Sequence, residues 1–433
     1  MLHTCNFMLQ GDVMHQQCIK RLARHAAAMR WCCLILVTGL CLSALSRALA
    51  IEAATTSNRE SSNHVIYSPI SATFINPGLK GERFWDMIVA TMQAAAQDLN
   101  IRLEVLYADR VHAAIPYLIN DILRRKTPPD YLVVVNDAKI VASLLPAIDK
   151  SSIKLLMIVN GLDDEQKREY GIPGSPHQSW IGSLLPDMEG AARRTARGLL
   201  LAARQQFDTP VYHGLALIGE NTTSGIIAMN KGVLDVFAHA DDLILDRVLE
   251  ARWNQQDAQR LTTHYLAWMK QNGEAPHIIW AANDSMAIGA IDALSASGLT
   301  PGKDVFISGM NWSPEVINMV EDGRMLMTDG GHIMAGAWSM VMLRDYEDST
   351  DMPAREIIFP MTAITRNNVE FYGPSLKNPH WDLVDFSYFT RPNEGQYHFQ
   401  PLDVLELMIN NQYTSSAIDK LALPITERGK ITP

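Results

Sequence analysis

Carboxamides, carboxylates and indoles recur in this sequence just after short apolar runs. Asn76 follows the first run, with Phe84 and Trp85 a few residues on, and Asn136 and Asp137 close the third. Later runs are followed by Glu220, Asn221, Thr222 and Thr223, then Trp253, then Asn283 with Asp284, then Asn311 with Trp312. A carboxamide offers donors and an acceptor on one planar group, and a carboxylate accepts at two oxygens. Aromatic faces offer flat apolar contact. The combination suits a polyhydroxylated ligand such as a sugar, whose hydroxyls take paired hydrogen bonds and whose C–H faces stack. Each residue also has a plainer reading. Asn and Asp cap helices and make turns, and an isolated Trp serves a core as readily as a binding wall. Asn76, Phe84, Trp85, Asp137, Asn221, Trp253, Asn283 and Asn311 are read together as a candidate ligand site because they fall at equivalent places in a repeating pattern.

That pattern alternates β-branched, apolar runs with helical stretches. Strands are expected from His64, Leu103, Tyr131 and Lys154, and in a second series from Leu215, Leu243, His277 and Val305. Residues 84–99 and 286–298 carry apolar side chains at i, i+3, i+4 and i+7, the helical spacing. Near-continuous hydrophobic strands separated by helices indicate parallel sheets covered on both faces. Eight or more strands exceed what one core usually holds. The expected fold class is therefore α/β: two doubly wound, Rossmann-like lobes joined by a hinge, with a ligand cleft between them. In such sheets ligands bind beyond the carboxyl ends of the strands, where the polar and aromatic set falls. A turn-rich stretch at 170–177 marks the seam. The first lobe is expected over 64–177 and about 331–352, and the second over 178–330 and about 353–372. A C-terminal extension fills 373–433.

The remaining features bound the function. Forty-seven acidic against 37 basic residues give a net charge of −10 over 433 residues, which argues against a nucleic-acid partner because phosphate contacts need a basic surface. All five cysteines lie within the first 41 residues, excluding a disulfide scaffold or a cysteine nucleophile beyond them. Lys20, Arg21, Arg24 and Arg30 precede an apolar run over 31–45, and Ala48-Leu49-Ala50 follows. These are the three parts of a cleaved signal peptide over 1–50, followed by a polar lead-in over 51–63, so a periplasmic location is expected. The run is shorter than the roughly 20 residues of a membrane span. No nucleophile elbow, zinc helix or phosphate loop occurs in the sequence. His264, His277 and His332 show no ligand spacing, so neither enzymatic activity, a metal nor a cofactor is expected.

One stretch carries a resemblance. The run Trp280-Ala281-Ala282-Asn283-Asp284-Ser285-Met286-Ala287-Ile288-Gly289-Ala290, with Ala293-Leu294, Gly298, Pro301-Gly302, Asp304-Val305 and Ser308-Gly309 after it, resembles the type I periplasmic binding proteins. These are the sugar-binding proteins of ABC importers. Phe84-Trp85 with Ala94-Ala95-Ala96 and Leu99 is similar to the family's first helix, and the resemblance covers 65–345. It implies a small, carbohydrate-like ligand held by Asn283 through hydrogen bonds and by Trp253 through stacking. It further implies a polar and aromatic first loop at Asn76, Phe84 and Trp85, and an acid at Asp137. The implied partner is the membrane permease of an ABC importer, or a membrane receptor such as a histidine kinase if the protein is a sensory adaptor. Two positions depart from the family. Gly309-Met310-Asn311 has an amide where the family has a carboxylate, and Met229 stands where an arginine is often found before the glycine at 232. These departures leave room for a less hydroxylated, larger or cationic ligand. Arg252 and His332 are possible replacement donors, with solvated or structural roles the plainer reading.

Overall fold

The apolar runs become the central strands of two six-stranded sheets. A computed structural model describes residues 67–349, 356–390 and 397–422; the leader expected over 1–50, the lead-in over 51–63 and the end of the extension lie outside the described residues. The first sheet contains β1 (Ile70–Asn76), β2 (Ile101–Tyr107), β3 (Tyr131–Val134), β4 (Lys154–Ile158), β5 (Trp180–Pro186) and β11 (Glu356–Phe359). Their order is β11-β5-β4-β3-β1-β2, and every pairing is parallel. The second contains β6 (Tyr212–Ile218), β7 (Leu243–Glu250), β8 (Ile278–Ala281), β9 (Phe306–Met310), β10 (Met327–Gly330) and β12 (Thr362–Thr365). Here the order is β12-β10-β9-β8-β6-β7, with β12 alone antiparallel to its neighbour. Helices cover both faces, so central strands are buried throughout: all four residues of β3 and of β8 are inaccessible or nearly so. The sheets form two α/β lobes of doubly wound type.

Several expectations are corrected. The first strand begins at Ile70 rather than at His64. β5 and β10 were not foreseen. Gly182 and Ser183 interrupt the apolar character of β5, and β10, Met-Thr-Asp-Gly, has one apolar side chain. β10 is buried by its neighbours β9 and β12 instead. The seam is not at 170–177, a turn closed by the Ile172–Ser175 bridge, because β5 pairs with β4 and keeps the chain in the first sheet as far as Pro186. The stretch near 353–372 is likewise divided: β11 joins the first sheet and β12 the second. The chain thus passes between lobes three times, after β5, after β10 and after β11.

The C-terminal extension touches both lobes. Helix Val369–Lys377 packs on helix Pro314–Asp322 of the second lobe. Phe386 N–H donates to Asp98 Oδ2 (2.9 Å) at the end of helix Arg83–Asp98 in the first. Phe399 then stacks on Trp338 (4.8 Å between centroids, 10° between planes), which meets Phe359 edge-on at 5.0 Å. Pro401 sits against Gly331, whose φ of +102° and lack of Cβ admit it: a Cβ there would lie 2.5 Å from Pro401 Cγ. Trp338 lies in the first turn of helix Ala335–Ser349, after the second crossing, and Phe359 ends β11 before the third, so the extension backs both. No helix among the described residues is long and apolar enough to cross a membrane. Phe399→Ala should cost about 3–5 kcal/mol of stability, the usual cost of removing a buried aromatic. Denaturant unfolding measures it, and a loss below about 1 kcal/mol would show that the stack does not support the crossings.

Candidate functional site

Loops following strands of both sheets converge on one cleft of about 490 Å³. From the first lobe come Glu82 to Trp85 after β1, Arg110 and His112 after β2, Asp137 after β3, and Val159 and Asn160 after β4. The second lobe supplies Glu220, Thr222 and Thr223 after β6, Trp253 after β7, Asn283 after β8, and Asn311 and Ser313 after β9. Phe84, Trp85, Asp137, Trp253, Asn283 and Asn311 therefore come together as lining residues. Asn76 and Asn221 do not. Asn76 is wholly buried, and its Oδ1 accepts the Gly78 N–H (2.9 Å) to turn the chain after β1. Asn221 is exposed outside the lining and accepts from Asn230 Nδ2 at 3.4 Å. Arg252 also stays outside, paired with Asp257.

Backbone geometry holds the two indoles in place. Trp253 lies against Gly219, one residue beyond β6: a Cβ at Gly219 would come within 1.8 Å of the ring. Arg252 and Trp253 both have positive φ (46° and 62°), a conformation that L residues adopt only when their surroundings enforce it. The enforcement is visible. Asn283 Nδ2 donates to the Trp253 carbonyl (3.2 Å), while its Oδ1 caps helix Asp284–Ala296 by accepting the Met286 N–H (2.8 Å). Asn283 thus fixes the indole and the helix at once. In the facing lobe, Trp85 lies on Gly78 in the same manner, and Phe84 contacts both Trp85 (4.9 Å, edge-on) and His332 (4.8 Å).

Both arginines of the cleft are paired with carboxylates, while Glu220 lines it with no ion-pair partner among the described residues. Arg110 pairs with Glu82, and Arg83 pairs with Glu315 across the lobes. His112 Nδ1 meets Asp137 Oδ2 at 2.6 Å. Further bonds link the lobes: Gly225 N–H to Asn160 Oδ1 (3.2 Å) and Ser224 Oγ to the Gly161 carbonyl (3.0 Å). Three buried polar atoms on lining residues, Trp85 Nε1, Thr223 Oγ1 and His332 Nδ1, have no hydrogen-bond partner among the described residues. Such atoms are rare in folded proteins and call for a ligand or water. Sequence reasoning missed Asn160 although it ends the run that forms β4, the position from which the other amides were chosen. Nothing local marks the Arg83–Glu315 pair, whose partners are 232 residues apart.

His332 is where the departure at Asn311 matters. Its Nε2 lies 3.0 Å from Asn311 Oδ1, so that nitrogen carries the proton and Nδ1 is bare. Burial holds its pKa down to about 3, and an amide at 311 adds no charge that would favour an imidazolium. Nearby, burial pushes the Asp284 carboxyl up to about 7 against the hydrogen bonds from Ser313 and Thr328. The two groups act oppositely on stability. An imidazole whose folded pKa is depressed loses stabilisation as pH falls from its unfolded value near 6.5 toward 3. Asp284 gives the reverse trend, losing stabilisation as pH rises from its unfolded value near 3.8 toward 7. Their separation needs a variant. Between pH 6.5 and 4, wild type should lose stability relative to His332→Gln, measured by denaturant melts at each pH; parallel curves would mean His332 is not held neutral.

Comparison with known proteins agrees with this architecture. The family model described as a periplasmic binding protein domain matches residues 72–348. The galactofuranose-binding protein YtfQ of Escherichia coli (strain K12) is 26% identical over 107 residues, 25% of this chain and 33% of that protein, so the aligned part spans one third of its length. Among solved structures, a periplasmic sugar-binding protein from Pseudomonas fluorescens is 27% identical with a TM-score of 0.70, covering 78% of this chain and 99% of that one. The periplasmic binding component of the arabinose ABC transporter from Shewanella sp. ANA-3, bound to L-arabinofuranose, is 16% identical with a TM-score of 0.61, covering 72% and 99%. The latter likeness concerns the fold. With the family model matching well over half of its length, and with two α/β lobes meeting at a strand-end cleft, the chain belongs to the periplasmic binding protein domain family.

Proposed function

We propose that this protein is a periplasmic solute receptor that closes on an uncharged, polyhydroxylated ligand of sugar type and delivers it to an ABC importer. The observation that carries the ligand class is that both arginines of the cleft are already paired. Both arginines in the lining are already neutralised by glutamates and His332 is neutral, so an anionic ligand would find no free cation there. Aromatic faces at Trp253, Phe84 and Trp85 supply stacking surfaces, and the unpaired atoms of Trp85, Thr223 and His332 supply hydrogen-bonding capacity for hydroxyls. The arabinofuranose and galactofuranose named for the related proteins are of this class. Opening and closing would turn on the three crossings, the usual hinge geometry of such receptors. The leader read from the sequence supports export.

A thermal-shift and calorimetric panel of furanose and pyranose sugars, inositols, sugar phosphates and amino acids tests the class. Neutral sugars or polyols should bind and sugar phosphates should not; tight binding confined to anions or amino acids would contradict the reading. Two variants then separate wall from cap. Trp253→Ala should weaken binding by about 1–3 kcal/mol, the value of burying a large apolar face, with little change in melting temperature. Asn283→Ala should weaken binding and also lose about 0.5–2 kcal/mol of stability as a removed helix cap. Unchanged affinity in Trp253→Ala would remove the indole from the ligand wall.

A further inference from the structure

Three ligand-type side chains meet at the amino end of the second sheet, the end remote from the cleft. His213 is the second residue of β6, Asp246 lies in β7, and Glu274 lies in the loop between helix Gln255–Gln271 and β8. One ligand atom from each lies within 4.8 Å of the other two. His213 Nδ1 is 3.0 Å from Asp246 Oδ1 and 3.9 Å from Glu274 Oε2. The register of β6 against β7 shifts here: Gly214 pairs with Leu245 but Leu215 pairs with Arg247. Asp246 is the extra residue of this bulge, and bulges re-aim side chains; this one brings the carboxylate to His213. Its second oxygen accepts the Tyr265 hydroxyl at 2.8 Å. The His213 ring is stacked at 6.0 Å on that of His277, whose Nδ1 accepts the His213 backbone N–H (2.9 Å).

A second carboxylate at the same imidazole nitrogen is what separates this cluster from an ordinary ion pair. The Asp246 side chain is only 3% exposed, and among the described residues His213 is its one ionic partner. The adjacent Arg247 donates from Nη1 to the Asp246 backbone carbonyl (2.6 Å), with its guanidinium 4.1 Å from the Trp268 ring centroid. Glu274 then directs a second carboxylate at the same imidazole nitrogen. Two carboxylates from different elements thus face one imidazole nitrogen, an arrangement that a divalent cation would bridge. One imidazole nitrogen and two carboxylate oxygens, drawn from three elements, form a donor set suited to zinc and its first-row neighbours. Three protein ligands with water in the fourth position is the common arrangement of open zinc sites, whereas closed structural sites use four protein ligands. The Tyr265 hydroxyl stands where outer partners orient a ligating carboxylate.

We propose that His213, Asp246 and Glu274 form a binding site for a divalent transition-metal ion, with Tyr265 as a positioning residue for Asp246. Ligand atoms about 2.0–2.2 Å from a common ion require Glu274, whose side chain is 41% exposed, to move inward. The ion ties β6, β7 and the loop before β8 together and stabilises the second lobe. The site is independent of the cleft, so it stands or falls apart from the sugar-receptor reading.

Zinc chloride is the probe. The purified full chain, stripped with a chelator and with its five cysteines alkylated, is titrated calorimetrically and melted with and without the ion. One zinc per chain should bind with micromolar or tighter affinity and raise the melting temperature. Glu274→Gln, a change at an exposed side chain, should weaken binding at least ten-fold, and His213→Gln should abolish it. Tyr265→Phe should weaken it by about 10-fold or more, as loss of an outer partner does. His239→Gln removes an exposed imidazole that also faces a carboxylate, Asp235 at 3.5 Å, and should leave binding unchanged. Absence of micromolar binding in the wild type overturns the proposal. So does unaltered binding in Glu274→Gln and His213→Gln, which would place the ion elsewhere.

Discussion

The indole of Trp312 is the piece against which the joint between the lobes is set. It lies flat across Gly330 at the end of β10, where a Cβ would come within 2.4 Å of the ring, and its Nε1 donates to the Thr362 carbonyl at 2.9 Å. One buried side chain thereby fixes the chain where it leaves the second sheet and again where it re-enters at β12. The fit requires φ of +130° and +60° at Asn311 and Trp312, and it requires glycine at 330. Because interiors are packed as tightly as crystals, such a joint has few alternative arrangements. Its consequences reach the cleft directly. Turning the backbone at 311 puts the Asn311 amide on His332, and His332 opens the second crossing. The joint and the site share residues.

The same economy recurs in the second lobe. Gly219 makes room for Trp253, and the cap of helix Asp284–Ala296 holds the Trp253 carbonyl. Gly309 leaves space for the buried Asp284, whose oxygens bind Ser313 N–H and Thr328 Oγ1 and so lock the ends of β8, β9 and β10 together. The run from Trp280 to Ala290 is thus a packing device as well as a source of cleft residues. Helix caps and binding groups are competing readings of an amide in a sequence; at Asn283 one side chain serves the scaffold while it faces the cleft.

What could be read from the sequence followed from period and burial. Helix Arg83–Asp98 has helical apolar spacing and the runs at β3, β4 and β8 have continuous apolar patterning that no loop would carry, and their ends locate the cleft. β10 could not be read because its burial comes from neighbours and from the Arg194–Asp329 pair rather than from apolar side chains. The seam was misplaced because a turn-rich stretch marks a change of direction, and only strand pairing shows which sheet comes next. Asn76 and Asn221 have the residue type of the site without its position: one makes a turn inside the protein and the other faces solvent. The Arg83–Glu315 pair and the C-terminal strap depend on contacts between distant segments, which no local pattern encodes.

The most direct measurement of the central claim is a crystal structure of the protein with whichever neutral sugar or polyol raises its melting temperature most. The account predicts the ligand enclosed between the lobes, with one face on the Trp253 ring and its hydroxyls on Trp85 Nε1, Thr223 or His332 Nδ1. A ligand bound outside the cleft, or within it but away from both indoles, would contradict it.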